Sequence, residues 1–267
     1  MHFRPKKYIF LLLLLISFSA NAQILNIEKS RIDKDSSNYF TGTGSVGFNL
    51  FNRNTGKPNG DNFTGLAATT DVVYFSGKHS FFSINSYNYV SLRRETFQHA
   101  AYTHERANFF RSRKFSYEIF TQYQYDLARR LEHRFLAGAG VRTALLRSEK
   151  VNLYIGNSLM YEFEQWLMPN TKDDFVSTRL PKLSNYLSTR AKFNEQVELN
   201  AIVYYQTGYD NKLGDFRHRV SGETNITSRI SGKVRIKTSF NALLDNRPVV
   251  PLTHFLYNLT TGLQANF

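Results

Sequence analysis

Residues 115–127 read FSYEIFTQYQYDL, and this stretch decides the fold class because its side chains alternate in character at every step. The odd positions are Phe, Tyr, Ile, Thr, Tyr, Tyr and Leu, whereas the even positions are Ser, Glu, Phe, Gln, Gln and Asp. Successive side chains of a β-strand point to opposite faces, so the pattern predicts a strand with one apolar and one polar face. Its length exceeds that of a typical strand in a soluble domain and suits a tilted strand that crosses a membrane.

The same alternation recurs in five further segments, at 133–146, 151–165, 197–209, 216–228 and 234–244. In each of the six segments, every charged residue lies on one face of its own strand. These residues are Glu118, Asp126, Arg134, Arg142, Glu162, Glu164, Glu198, Arg217, Arg219, Glu223, Arg235 and Lys237. We expect this face to line the lumen of a β-barrel and the apolar face to contact lipid.

Twelve strands are predicted along the chain, and short turns alternate with longer loops between most of them. The predicted strands span 39–51, 63–75, 80–92, 100–110, 114–128, 132–147, 150–166, 180–193, 196–209, 215–229, 232–246 and 253–267. An even strand number with this alternation is typical of outer-membrane barrels that keep both termini in the periplasm. The predicted fold is therefore all-β, an antiparallel transmembrane barrel of about twelve strands.

The N-terminus has the pattern of a secretory signal peptide, predicted to be cleaved after residue 22. Three cations precede an apolar run from Tyr8 to Phe18, and Ala20-Asn21-Ala22 fits a cleavage site of small residues. Cleavage lowers the formal net charge from +13 to +10, because the segment contains three cations and no acids. Residues 23–38 are predicted to form a periplasmic lead-in, and residues 39–267 the barrel. The chain has no cysteine, which excludes disulfides, thiolate metal sites and a lipidated N-terminal cysteine.

The short turns predict which charges face each other across neighbouring strands. The expected pairs are Asp126 with Arg134, Glu118 with Arg142, Glu164 with Arg134, Lys192 with Glu198, and Arg217 with Asp245. We interpret Arg134, flanked by Asp126 and Glu164, as the centre of an ionic network. Two functions remain open for such pairs: they fill and stiffen a narrow lumen, or they line a constriction that selects ions or small solutes.

The last strand carries the pattern of a barrel-insertion signal. Tyr257, Leu259 and Leu263 alternate with polar residues, and the aromatic Phe267 ends the chain. A terminal aromatic on an amphipathic strand is the feature that the barrel-assembly machinery of outer membranes reads, so we expect that machinery to be a transient partner.

Several stretches resemble one family, the domain of unknown function 481, which includes salt-induced outer-membrane proteins. They are residues 27–32 (IEKSRI), 117–125 (YEIFTQYQY), 134–142 (RFLAGAGVR) and 251–267 (PLTHFLYNLTTGLQANF). The resemblance implies an outer-membrane β-barrel of a Gram-negative-type bacterium, and it brings no accepted enzymatic role. It supports fold and location far more than activity, because the shared motifs are strand patterns.

No catalytic, cofactor or metal site is predicted from the residues. The histidines are scattered, with His99 and His104 expected near an outer loop and His218 on a lipid-facing or rim position. The excess of Arg and Lys is expected to face anionic lipids and lipopolysaccharide at turns and rims rather than nucleic acid. We expect a monomer with a structural, envelope-stress or narrow-channel function. The alternatives are a barrel enzyme that hydrolyses lipid or peptide, and a soluble secreted β-protein.

Overall fold

Twelve β-strands follow one another in a computed structural model that describes residues 38–53, 61–92, 95–231 and 234–265. The strands are β1 Tyr39–Arg53, β2 Asp61–Ser76, β3 His79–Leu92, β4 Glu95–Phe109, β5 Phe115–Asp126, β6 Leu131–Arg147, β7 Val151–Leu167, β8 Phe175–Lys192, β9 Val197–Asp210, β10 Asp215–Arg229, β11 Val234–Asp245 and β12 Phe255–Ala265. A 3-10 turn at Leu127–Arg129 joins β5 to β6. The predicted signal peptide and most of the lead-in lie outside the described residues. The described residues contain no helix long and apolar enough to cross a membrane.

All strands belong to one antiparallel sheet in which each strand pairs with its sequence neighbours. The all-β prediction and the count of twelve strands are confirmed. Within the described residues, β1 pairs with β2 and β12 pairs with β11, and no pairing joins β12 to β1. We call the end with the connections at 77–78, 110–114, 148–150, 193–196 and 230–233 the turn end, and the opposite end the loop end.

Two predicted loops are shorter than expected, because backbone pairing continues through polar sequence. The connection predicted at 93–99 is shorter in the structure, because β4 already begins at Glu95. Glu95 pairs with Leu92, beyond a β-bulge at Val90 and Ser91. The predicted loop at 167–179 shrinks in the same way, since β8 begins at Phe175 opposite Leu167. Ladder hydrogen bonds carry these strands further than side-chain alternation indicates.

The sheet is curved, and its concave face, here called the inner face, holds the buried polar side chains. Tyr186 of β8 donates to Glu118 of β5 over 2.7 Å, although two strands separate them. Arg219 of β10 reaches Glu164 of β7 over 2.9 Å in the same manner. Contacts between such distant strands require the sheet to wrap around the groups that they join.

The convex outer face is largely apolar and exposed. Leu159, Leu183 and Val203 are 68%, 50% and 47% exposed on the outer sides of β7, β8 and β9. At the turn end, cross-strand aromatic contacts run from Phe40 to Tyr74 and on to Phe81 and Phe109. At the loop end, tyrosine hydroxyls contact histidines of neighbouring strands, as in the pairs Tyr123–His133 and Tyr205–His218, both at 2.8 Å.

One polar cluster interrupts the apolar outer face. Glu105 of β4 accepts a hydrogen bond of 2.7 Å from Ser83 of β3, and Thr103 donates to Asn85 over 2.7 Å. These side chains hydrogen-bond one another across two strands, so the carboxylate has polar partners on an otherwise apolar face.

Candidate functional site

The fourteen charged residues predicted for the lumen occupy inner-face positions of their strands. They are Glu118, Asp126, Arg134, Arg142, Glu162, Glu164, Lys192, Glu198, Arg217, Arg219, Glu223, Arg235, Lys237 and Asp245. Strand periodicity alone assigns the face, because side chains alternate strictly where no bulge intervenes. Half of these residues belong to two clusters, one toward each end of the sheet.

The larger cluster, here called the loop-side network, consists of Arg134, Glu162, Glu164, Lys182, Arg219 and Asp245. Glu162 lies at its centre. Arg134 donates to Glu162 Oε2 from Nε over 2.8 Å and from Nη2 over 2.5 Å, and Arg219 Nη1 donates to the same oxygen over 3.2 Å. Lys182 Nζ donates to the other oxygen, Oε1. Three cations thus converge on one carboxylate.

Glu164 is the second acceptor of the loop-side network and faces Arg134 across β6 and β7, as expected. It accepts from Arg219 Nη1 over 2.9 Å and from Trp166 Nε1 over 3.2 Å, and Arg134 Nε lies 3.2 Å away. Asp245 accepts from Arg219 Nη2 over 2.9 Å. The network therefore balances three acids with three bases, which is the condition under which buried charge is tolerated.

The smaller cluster, here called the turn-side network, surrounds Glu118. Arg106 Nη1 donates to Glu118 Oε2 over 3.2 Å, Asn108 donates to Oε1 over 3.2 Å, and Arg142 Nε lies 4.0 Å from Oε1. Tyr186 donates to Oε2 over 2.7 Å. Two arginines and one carboxylate give this cluster an excess of one positive charge.

A cavity of about 90 Å³ lies between the two networks. Its lining joins Arg106 and Tyr186 of the turn-side network to Arg134 and Arg219 of the loop-side network. The remaining lining is aromatic, amide and hydroxyl in character: Tyr102, His104, Phe120, Gln122, Gln124, Ser158, Trp166, Ser184, Tyr204, Gln206 and Ser221, with Arg129, Leu131, Leu136, Met160, Glu164 and Leu243.

Arg129, in the 3-10 turn, lines the loop end of this cavity. Burial lowers the pKa of Arg129, and the nearby Arg219 and Arg134 guanidinium groups lower it further, whereas the Asp126 and Glu164 carboxylates raise it. Within the described part of the chain, the Arg129 guanidinium forms no hydrogen bond or ion pair. Three guanidinium groups, those of Arg129, Arg134 and Arg219, and one carboxylate, that of Glu164, line this end of the cavity.

Two glycines create the space that the interior aromatic rings occupy. A Cβ on Gly156 would lie 2.0 Å from Tyr186 Cε1, and a Cβ on Gly138 would lie 2.5 Å from Phe120 Cζ. Both rings line the cavity, so a larger residue at either glycine would displace a ring that forms part of the cavity wall.

The predicted pairing between β5 and β6 is wrong by two residues. Arg134 lies opposite Gln124 rather than Asp126, and Glu118 lies opposite Gly140. The reason is the connection: a 3-10 turn, Arg130 in the left-handed region and a bulge between Gln124 and Asp126 together shift the register. Asp126 instead caps the turn, accepting from the Arg129 backbone N–H over 3.3 Å.

The predicted pair of Arg217 with Asp245 is wrong, because each of the two residues binds another partner. Asp245 binds Arg219, and Arg217 donates to Asp210 over 2.7 Å. Asp245 lies opposite Arg219 in the β10–β11 ladder, which leaves Arg217 beyond the pairing.

Lys192 is the cross-strand neighbour of Glu198, as expected, but the ion pair of 2.9 Å is formed by Arg190. Glu223 accepts from Asn225 over 2.5 Å, and Arg235 and Lys237 lie half-buried toward the turn end.

Sequence reasoning missed Arg106, Lys182 and Tyr186, three residues that complete the networks. Strand β4 was not counted among the clearly alternating segments, and neither was β8. Yet His104, Arg106 and Asn108 occupy alternate positions of β4, and Lys182, Ser184 and Tyr186 do the same in β8. Period two in these strands is the signal that could have found them. His104, expected near a loop, instead lies buried within β4.

The loop end of the interior is covered by the β11–β12 connection. Val250 is buried against Leu131 and Trp166, and Val249 and Leu252 pack beside it. Arg217 Nη1 donates to the Arg247 carbonyl over 2.5 Å and holds this connection in place. The turn end is wider, with cavities of about 700 and 1030 Å³ lined by charged residues that include Arg190 and Lys192.

The predicted insertion signal lies mainly within β12. Tyr257, Leu259 and Leu263 project from the outer face and are 62% to 68% exposed. Phe267 lies outside the described residues.

This architecture defines a class of protein: a single antiparallel sheet of twelve strands with an ion-paired inner face and an apolar outer face. The chain belongs to the family described as "Protein of unknown function, DUF481", whose model matches residues 51–267. The expected family is thus confirmed. No curated protein matches the chain. Among solved structures, the β domain of the Bordetella autotransporter BrkA is similar at 9% identity, covering 85% of this chain and 99% of that one, with a TM-score of 0.39.

Proposed function

We propose that the protein is an integral outer-membrane β-barrel with a structural function in the envelope and an interior closed by ion pairs. The observation that carries this proposal is the division of the two faces. Large apolar side chains such as Leu159 and Leu183 are exposed on the outer face, whereas Glu118, Glu162 and Glu164 are buried on the inner face. A water-soluble sheet gains nothing from this arrangement, whereas a membrane-spanning barrel requires it.

Under this proposal, β12 pairs with β1 in the membrane, because unpaired strand edges are not tolerated in hydrocarbon. The loop end faces outside and both termini face the periplasm. Basic residues at turns and rims, such as Arg113 and Lys114, contact anionic lipids and lipopolysaccharide. The barrel-assembly machinery acts on β12 during insertion, the mature protein is a monomer, and no catalytic step or cofactor is assigned to it.

A narrow passive channel is the second candidate function. The inner faces of β1 and β2 favour it, because neither network includes a residue of these strands. The inner-face residues there are small and exposed: Ser45, Gly47, Ala67 and Thr69. Small solutes would pass along this wall, beside the ion-paired half of the interior.

Conductance of the purified protein in planar bilayers distinguishes the two candidates. The structural proposal predicts no discrete current steps with potassium chloride on both sides. Reproducible small current steps would instead support the narrow channel if their ion selectivity differs between the wild type and Arg235→Gln, a variant at the turn end. Recovery of the protein from the soluble periplasm without detergent would contradict both.

A further inference from the structure

The cavity between the two networks contains polar groups that the described residues leave unsatisfied. His104 Nε2 and Arg106 Nε are buried and have no hydrogen-bond partner within the described ranges. Both residues line the cavity and are neighbours on the inner face of β4. A buried polar group without a partner is costly, so such groups mark positions where a ligand or water supplies the missing hydrogen bond.

The hydrogen-bond chain beside His104 fixes which of its nitrogens donates. Arg134, which can only donate, contacts Gln124 Oε1, and Gln122 Nε2 donates to the same oxygen over 2.7 Å. Gln122 Oε1 is therefore an acceptor, and His104 Nδ1 donates to it over 3.2 Å. In the neutral imidazole, Nε2 then keeps an acceptor lone pair.

A hydroxyl group matches the two unsatisfied atoms on β4. It accepts a hydrogen bond from the Arg106 Nε–H, and it donates one to His104 Nε2. A carboxylate cannot donate to His104, and an ammonium group cannot accept from Arg106.

The loop end of the cavity has guanidinium groups that a negatively charged ligand would pair with. In the described part of the chain, the Arg129 guanidinium forms no ion pair within 4 Å, although the Asp126 and Glu164 carboxylates act on it from farther away. Arg134 and Arg219 line the same end. Although Glu164 also lines this end, it already accepts from Arg219 and Trp166. The two oxygens of a carboxylate match the planar guanidinium group and can accept two parallel hydrogen bonds from it.

We propose that this cavity binds a small organic anion that carries both a carboxylate and a hydroxyl group. The carboxylate pairs with Arg129, and the hydroxyl bridges Arg106 and His104. A volume of about 90 Å³ holds about six water molecules, which limits the ligand to about six non-hydrogen atoms. The site goes beyond the proposed function, because binding requires the folded sheet and not a conducting lumen.

Three solutes of matched size test the ligand class by calorimetry on the detergent-solubilised, folded protein. Lactate has the carboxylate and the hydroxyl, propionate lacks the hydroxyl, and glycerol lacks the charge. We expect lactate to bind with a Kd of about 1 mM, at least about tenfold more tightly than either of the others. Equal affinities for the three solutes, or no binding of lactate, would overturn the proposal.

Two arginine variants of the same turn test the position of the carboxylate. Arg129→Gln should weaken lactate binding about tenfold or more and leave glycerol unchanged. Arg130→Gln removes the same charge from the neighbouring residue, which contacts the Met168 carbonyl and does not line the cavity. It should leave the lactate Kd unchanged, and an equal loss in both variants would show a general charge effect and refute the site.

Fluorescence of Trp166 separates failure of the site from failure of the fold. Trp166 is the only tryptophan of the chain and lines the cavity. Lactate should change its emission in the wild type and not in Arg129→Gln, while the emission of the ligand-free forms stays the same. If lactate neither changes the Trp166 emission of the folded wild type nor gives a binding signal in calorimetry, this inference is overturned and the barrel proposal is unaffected.

Discussion

Glu162→Gln tests the loop-side network most sharply, because the substitution keeps the shape of the side chain and removes its charge. Arg134 and Arg219 would still contact Glu164, at 3.2 and 2.9 Å. Lys182 would lose its ion-pair partner while its side chain remains only 3% exposed. A buried charge left without a partner costs several kcal/mol, so we expect the free energy of unfolding to fall by about 3 kcal/mol.

The matched control is Glu198→Gln, which removes the same charge from a more exposed pair. The side chains of Arg190 and Glu198 are 23% and 32% exposed, so this variant should lose no more than about 1 kcal/mol. Adding Lys182→Met to Glu162→Gln removes the unpaired ammonium and should restore about 2 kcal/mol.

The assay is denaturant unfolding of protein refolded in lipid vesicles, followed by the fluorescence of Trp166. This ring donates to Glu164 within the network, so its emission reports on the region that the substitutions perturb. Equal losses for Glu162→Gln and Glu198→Gln, or a double variant less stable than Glu162→Gln alone, would refute the reasoning.

Three further changes have defined outcomes. Gly156→Ala would place a Cβ 2.0 Å from Tyr186 Cε1 and should lower the free energy of unfolding by about 1–3 kcal/mol in the same assay. Gly262 has open space around it, so Gly262→Ala should cost less than Gly156→Ala. The reverse order would contradict the packing. Val250→Asp should open the cover over Trp166 and increase iodide quenching of its fluorescence, and unchanged quenching would argue against that cover. Phe267→Ser should reduce the amount of folded protein in outer-membrane fractions, and normal amounts would show that the terminal aromatic is not needed for insertion.

The strand order and the faces could be predicted from sequence because both depend on local alternation. Every predicted inner-face charge, from Glu118 on β5 to Asp245 on β11, follows the period of two. That period survives any error in the exact ends of a strand.

The register between β5 and β6 and the contacts between distant strands could not be predicted, because they depend on features with no local signature. The bulge near Gln124 and the left-handed Arg130 shift β5 against β6, and neither is marked by a glycine or proline. The contact between Tyr186 and Glu118 depends on the curvature of four consecutive strands. Lys182 follows Pro181, and a proline within a strand weakens the sequence signal of that strand.

In the proposed barrel, the outer face contacts lipid and the inner face does not. Because the chain has no cysteine, single cysteines can carry spin labels at chosen positions. Labels at Leu159, Leu183 and Val203 should collide mainly with oxygen, which concentrates in lipid, whereas labels at the inner-face positions Thr69 and Thr260 should collide mainly with a water-soluble nickel chelate. Equal access of the nickel chelate to all five labels in reconstituted vesicles would contradict the account.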